Sequence, residues 1–316
     1  MGVENAFKIT ICNEDSEHNG KVIGDLADAI DLKDLAGERI CIDTSWTIYS
    51  AVLAMAHVTS LADSSGKTTI HLNTILNKVI MFKKFKIDAI WIFDSPKQNA
   101  MKAKEIEKRR KRKKDSKNDK AKWTMTSEHV QDVQELLSKL GVMYITAPDG
   151  IEAEQYGAAL TSGPEDQRYC KYMLSGDSDV LFFGGNLLRP VKRRTASGKS
   201  SKAGYETYNL QTILDEMDVT IEEFVKMGVT LGCDFCDKTP KIGPKTVHSK
   251  LAAVKLPALT PEQKEAYFYF LSVFETKNTD LVQNKFDKQG LITMLTSRGF
   301  KKDTLEKKIK TAYKLK

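Results

Sequence analysis

Six carboxylates stand at matching points of the chain, each just past a short apolar run. Asp43 ends Ile40-Cys41-Ile42, and Asp94 ends Ala89-Ile90-Trp91-Ile92-Phe93. Glu152 and Glu154 follow Val142-Met143-Tyr144-Ile145 past the turn Pro148-Asp149-Gly150, and Asp177 and Asp179 follow Tyr172-Met173-Leu174. A lone Asp after a strand is ordinarily a helix cap. Six at equivalent positions make a pattern that capping alone does not produce. Like charges brought together must be protonated or neutralised by cations, so convergence of these acids implies bound metal. The ligands on offer are carboxylate oxygens, which select a hard ion, Mg2+ or Mn2+. Two such ions about 4 Å apart activate a water and stabilise the leaving oxygen of a phosphodiester in an in-line displacement.

A basic run accompanies the acids. From Lys102 to Lys122 there are twelve Lys or Arg and four acids, a local charge of +8, whereas the whole chain carries +7. "EKRRKRKK", with Lys111, Arg112, Lys113 and Lys114 in or just after it, cannot pack as a core. It predicts a solvated helix of about three turns from Lys102 to Lys114, basic nearly all round and suited to phosphates. An acid-rich metal site next to a basic arch describes a nuclease.

The elements that must position these groups are legible from periodicity. The apolar runs lack polar alternation and read as buried parallel strands. Between them lie helical patterns, Leu72, Ile75, Leu76, Val79, Ile80 and Phe82 in one segment and Val130, Val133, Leu136, Leu137 and Leu140 in another. The alternation predicts an α/β fold, a mostly parallel central sheet with helices on both faces. In such a sheet the strand C-termini share one edge, where ligands bind.

The distal part offers a phosphate-binding device. In "LGCDFCDKTPKIGPKTVHSKL", Gly243 permits a tight turn and Pro244 suits the first position of a new helix, so the backbone around Ile242, Gly243 and Lys245 presents N–H groups to phosphate. Asp234, ten residues before Pro244, is a seventh carboxylate. We expect residues 1–230 to form the α/β core with the arch at about 97–127, and 231–316 a helical DNA-binding region.

Composition narrows the classes further. With 316 residues, 41% hydrophobic and 8% aromatic, the chain can bury a sizeable core and is not disordered as a whole. No window approaches the ~20 apolar residues of a membrane span, and Glu4, Glu14, Asp15 and Glu17 argue against a signal peptide. Met1-Gly2 opens like a myristoylation site but has Ala6 in place of Ser or Thr. A soluble, intracellular protein is expected. Five cysteines, an odd number, do not describe a disulfide framework, and Cys233-x-x-Cys236 has no second pair to complete a zinc site.

These residues, in this order, resemble the flap endonuclease family of structure-specific 5′ nucleases, the xeroderma-pigmentosum-G type. The shared pieces are the start Met1-Gly2-Val3, "CIDTSWTIYSA" around Asp43, "WIFDSP" around Asp94, "GIEAEQ" with Glu152 and Glu154, "SGDSDVLFFG" with Asp177 and Asp179, and "LGCDFC" with Asp234 before "KIGPKTV". The likeness spans almost the whole chain. It implies a PIN-like nuclease core with a helix-two-turn-helix, and two divalent ions held by Asp43, Asp94, Glu152, Glu154, Asp177, Asp179 and Asp234. It also implies that Lys102 and Arg109 reach the scissile phosphate, that Tyr49 stacks on a nucleotide, and that Gly2 lies close to the DNA junction.

Departures from the family pattern are specific. Lys241 stands at the hairpin's first glycine, which leaves the usual K+ site of the helix-two-turn-helix open. Ala56 and His57 stand near where the family often has an arginine after the stacking tyrosine. The arch is shorter than in cellular members, and no sliding-clamp peptide is evident. The sequence thus predicts a monomeric Mg2+-dependent nuclease acting on DNA flaps, branches or 5′ ends in replication, repair or recombination. An RNA-directed nuclease on the same scaffold and a non-catalytic DNA-structure binder are the alternatives.

Overall fold

The computed structural model describes residues 2–55, 62–63, 66–97, 99–115, 123–194, 201–272, 274, 276 and 284–313. The first half runs β1 (Asp28–Ile30), β2 (Arg39–Asp43), α1 (Thr44–Met55), α2 (Ile70–Lys84), β3 (Asp88–Phe93), α3 (Ala103–Asp115), α4 (Ser127–Lys139) and β4 (Met143–Thr146). Then come α5 (Ala153–Thr161), β5 (Tyr172–Leu174), α6 (Asp179–Phe182), β6 (Leu187–Arg194), β7 (Ser201–Tyr208), α7 (Leu210–Met217) and α8 (Ile221–Leu231). Four helices complete the chain: α9 (Val247–Ala252), α10 (Pro261–Phe270), α11 (Lys288–Ser297) and α12 (Lys302–Tyr313).

All four expected strands are present, as β2, β3, β4 and β5, in a seven-stranded sheet of order β1-β7-β6-β5-β2-β3-β4. β4, β3, β2, β5 and β6 are mutually parallel, β7 runs antiparallel beside β6, and β1 pairs antiparallel with β7 at the edge. The chain moves outward from β2 to β3 and β4, then returns to place β5 on the other side of β2. The crevice of the sheet therefore opens between the ends of β2 and β5, the ends that carry Asp43 and the Asp177 loop.

Side chains alternate across the strands into two cores. Cys41, Ile90, Ile92 and Met173 join one face with α5, α6, α7 and α8. Ile40, Ile42, Trp91, Phe93 and Leu174 join the other with α1, α2 and α4. Every strand of the centre is apolar on both sides because helices cover both sides. The stretch 231–316 is shared between these cores. α10 supplies Ala266 and Phe270 to the first, while α11 and α12 return to supply Leu291, Leu295, Leu305 and Ile309 to the second. The last strand ends at Tyr208, and residue 230 lies within α8, where packing is continuous. Among the described residues no helix is long and apolar enough to cross a membrane.

Candidate metal centre

Each acid is fixed by the element that precedes it. Asp43 is the last residue of β2, and its two oxygens do different work. Oδ1 accepts from the Trp46 N–H of α1 at 2.8 Å, a helix cap, and Oδ2 accepts from Ser175 Oγ at 3.0 Å. Asp94 follows β3 and accepts from the Ala153 N–H at 3.1 Å, so the carboxylate after one strand holds the start of α5 beyond another. Glu152 is the N-cap residue of α5 and Glu154 lies in its first turn. Ser175 Oγ also accepts from the Asp177 N–H at 3.1 Å, and Asp179 Oδ1 accepts from the Val3 N–H at 2.8 Å. Asp234 sits in the turn after α8, and one oxygen each from Asp177, Asp179 and Asp234 lie within 4.8 Å of one another.

The cluster is self-repelling, and every member but Asp94 is at least partly buried. Asp43 is pushed up to about 7, first by burial and then by Asp94. Burial and the charges of Asp43 and Asp94 raise Glu154 far above the usual carboxylate range. Asp179 is raised likewise by burial and by Asp177 and Asp234, and Asp177 by burial and by Asp234. Glu152 is raised by burial against the opposing pull of Lys102, and its Oε2 is buried without a hydrogen-bond partner. Each acid therefore feels the next, and the seven form one electrostatic unit.

Two cations from the arch face that unit. Lys102 Nζ lies 2.7 Å from Glu152 Oε1 and 3.4 Å from Asp234 Oδ2. Burial works against its charge, but Glu152, Glu154, Asp234 and Asp179 prevail and hold the ammonium well above its ordinary value. Arg109 donates from Nη2 to Asp234 Oδ2 at 2.7 Å and from Nε to Glu105 Oε1 at 3.0 Å. The Lys102 ammonium also lies 5.1 Å from the centre of the Phe235 ring. The donor set fits a hard divalent ion: Asp43, Asp177 and Asp179 are buried, Glu152, Glu154 and Asp234 are partly buried, Asp94 opens to solvent, and Glu152 carries an orphaned oxygen. Gly2 completes the wall. Its φ is +85°, and a Cβ there would fall 1.8 Å from Asp177 Oδ1 and 2.6 Å from Asp179 Oδ1. Only glycine fits against these oxygens.

The remaining expected residues are spread around this centre. Lys111, Arg112 and Lys114 are exposed on α3, and the Lys113 side chain lies outside the described residues. The arch helix is not solvated all round as its sequence suggests: Glu105, Ile106 and Arg109 are half-buried, while on its exposed side Lys104 pairs with Glu262 and Lys108 with Asp237 at 2.9 Å. Tyr49 is half-buried on α1, its ring edge-on to Trp123 at 5.2 Å and its hydroxyl accepting from the Met125 N–H at 3.2 Å. Ala56 and His57 lie outside the described residues.

Ile242, Gly243 and Lys245 lie in the turn before α9, with open space where a Gly243 Cβ would stand. The helix does not begin at Pro244 as expected but at Val247, after a turn in which the Val247 N–H donates to the Gly243 carbonyl at 3.0 Å. Thr246 and Gly243 exchange side-chain and backbone contacts there and delay regular helix. Lys241 has φ +62°, the left-handed conformation that glycine adopts more readily.

Sequence reasoning missed three supporting groups. Ser175 ties Asp43 to Asp177, Val3 fixes Asp179 through its backbone, and Glu105 orients Arg109. Glu105, one helical turn before Arg109, had a readable signal in its i,i+4 spacing. The other two depend on chain segments far apart in sequence.

Comparison with known proteins gives the following. The family model described as XPG N-terminal domain matches residues 20–116, and the XPG I-region matches residues 141–234. The chain is 30% identical over 312 residues to flap endonuclease 1 of Xiphophorus maculatus, covering 87% of this chain and 79% of that protein. It is 29% identical to flap endonuclease 1 of Theileria parva, of whose length it spans 62%. In three dimensions it is similar to flap endonuclease-1 from Methanococcus jannaschii, with a TM-score of 0.70, 20% identity and coverage of 91% of this chain and 95% of that one. It is also similar to the catalytic core of Rad2 in complex with DNA substrate, with a TM-score of 0.68, 18% identity and coverage of 92% and 97%.

Proposed function

This chain belongs to the flap endonuclease family, and from that premise we propose that it is a divalent-metal-dependent nuclease that cuts DNA at 5′ flaps, branches or 5′ ends. One observation carries the proposal: seven carboxylates from five segments influence one another at the crevice of the sheet, faced by Lys102 and Arg109 from the arch.

Asp43, Asp94, Glu152, Glu154, Asp177, Asp179 and Asp234 would hold two Mg2+ ions, for which Mn2+ substitutes. When bound, the ions supply an activated water and neutralise the leaving oxygen. The protein's own residues do the rest. Ser175, the Trp46 N–H and the Val3 N–H fix the carboxylates before substrate arrives. Lys102 and Arg109, on the arch side of the acids, stabilise negative charge on the phosphate in the transition state. Gly2 keeps the site open by lacking a side chain.

Duplex and flap are held by phosphate contacts. The exposed face of α3 gathers a charged strand, and the turn from Lys241 to Lys245 offers backbone N–H groups and two ammonium ions. Lys241 brings its own cation to that turn, and we assign no K+ there. The stretch from Gln263 to Phe270 has the outline of a Gln-x-x-aliphatic-x-x-aromatic-aromatic clamp peptide with Ala266 at the aliphatic position, but Gln263 and Phe270 are buried at 2% exposure each, with the Gln263 amide donating to Val229, Asp237 and Thr239. We therefore assign no clamp contact to them. A monomer suffices, because one chain supplies every group named.

Cleavage mapping on end-labelled flap, nicked, gapped, single-stranded and four-way DNA, with RNA counterparts, in Mg2+ tests the proposal. Cuts near the base of a 5′ flap that vanish with EDTA are expected. Absence of cleavage on every DNA, or equal cutting of all of them, would overturn it.

A further inference from the structure

Cys233 and Cys236 are a motif that the proposed nuclease chemistry leaves unused, and they flank Asp234. The Cys233 N–H donates to the Cys236 carbonyl at 3.0 Å, so the four residues from Cys233 to Cys236 close on themselves as a turn. The two sulfurs are 3.5 Å apart. Cys236 is 7% exposed, with its sulfur against the Val229 carbonyl at 3.6 Å. Cys233 is half-buried. Cys41 and Cys170, by contrast, are buried at 0% and 1%.

Zinc does not account for the pair. A structural zinc needs four ligands, and among the described residues neither cysteine belongs to any group of three or more neighbouring His, Cys, Asp or Glu ligand atoms. A dithiol poised at contact distance with no metal partner has one other ready chemistry, which is oxidation.

We propose that Cys233 and Cys236 are a redox-sensitive dithiol that a hydroperoxide converts into a disulfide across the turn carrying Asp234. One sulfur of the pair attacks one oxygen of hydrogen peroxide, the O–O bond breaks, and sulfenic acid and water form. The other sulfur then attacks the sulfenic sulfur, the S–O bond breaks, and the oxygen leaves with that thiol's proton as a second water. Two thiols and one peroxide thus give one disulfide and two waters. An S–S bond is about 2.05 Å long, so the sulfurs approach by about 1.5 Å and the turn tightens around Asp234. That carboxylate receives both Lys102 and Arg109, and moving it disturbs the acid cluster. This last consequence rests on the proposed metal role of Asp234; formation of the disulfide does not.

The test uses the full reduced chain treated with a small excess of hydrogen peroxide, followed by alkylation and peptide mass mapping. We expect the protein to become lighter by two hydrogens and the Cys233–Cys236 peptide to resist alkylation until dithiothreitol is added. Cys233→Ser and Cys236→Ser should each abolish the change. Alkylation of both thiols after peroxide, sulfinic acid on one of the pair beside a free partner thiol, or a disulfide between chains would each overturn the dithiol. In parallel, the Mg2+ concentration for half-maximal thermal stabilisation should rise about tenfold on oxidation, the scale of losing a group that orients a ligand. An unchanged midpoint with the disulfide formed would overturn the coupling to Asp234. A reduced protein that Mg2+ does not stabilise at all would instead overturn the metal reading and leave the thiol chemistry standing.

Discussion

Arg109 reaches from the arch helix to Asp234, Nη2 to Oδ2, at 2.7 Å, and so ties the most basic segment of the chain to its most acidic site. Lys102 makes the same connection one and a half to two helical turns earlier, through Glu152 and Asp234. The acids without such cations would be an uncompensated buried charge, which costs several kcal/mol per ion. The two side chains therefore serve stability in the metal-free protein, and under the proposed function they also stabilise transition-state charge.

Replacing Lys102 should separate these roles. Lys102→Ala is expected to slow flap cleavage about 10²- to 10³-fold, the scale of removing one charge-stabilising donor, with DNA affinity changed far less. Single-turnover cleavage beside gel shifts in Ca2+ measures both. Equal losses in binding and cleavage would make Lys102 a DNA-anchoring residue.

Asp177→Asn and Asp179→Asn should each abolish cleavage and leave binding nearly intact. Each also removes one member of a mutually repelling set, so the metal-free variants should melt at the same temperature as the parent or higher. Loss of folding in both would show that these carboxylates carry the local structure through the Val3 and Ser175 contacts.

The response to Mg2+ should depend on pH with a definite sign. Asp43 is raised to about 7, and Glu154, Asp177 and Asp179 are raised as well. Between the ordinary carboxylate range and about 7, the metal-free folded state binds more protons than the unfolded chain, so its stability falls as pH rises. Metal competes with those protons. The Mg2+-induced rise in melting temperature should accordingly be larger at pH 8 than at pH 6; a rise of equal size at both would mean that the acids are already ionised without metal.

The arch pairs Lys104–Glu262 and Lys108–Asp237 should compete with DNA phosphates for the same ammonium groups. Both lysines are largely exposed, so the pairs are weak. Glu262→Gln with Asp237→Asn should raise affinity for 5′-flap DNA by less than about fivefold at low salt, and the gain should vanish at high salt. Fluorescence anisotropy across a salt series measures this, and weaker binding in the double variant would show that the two acids instead hold the arch in its DNA-binding position.

The sequence by itself determined the strands β2, β3, β4 and β5, the helices α2 and α4, and the seven carboxylates that follow the strands or precede the hairpin turn. It could do so because each of those signals is local: an apolar run of strand length, a 3.6-residue period, an acid at a strand end. The tertiary structure alone decided β6 and β7. β6 and β7 read "LLRPVKRR" and "SKAGYETY", polar and broken by Pro190 and Gly204, and they are strands because they pair with each other along eight residues. It alone returned α11 and α12 to the face of α2 and α4, and buried Gln263 where its amide meets three acceptors. Above all, the sequence marks the acids and the basic run as separate features some distance apart. That Lys102 and Arg109 neutralise Glu152 and Asp234 follows from the fold, because opposite charges pair across a buried crevice only once the sheet order has brought their segments together.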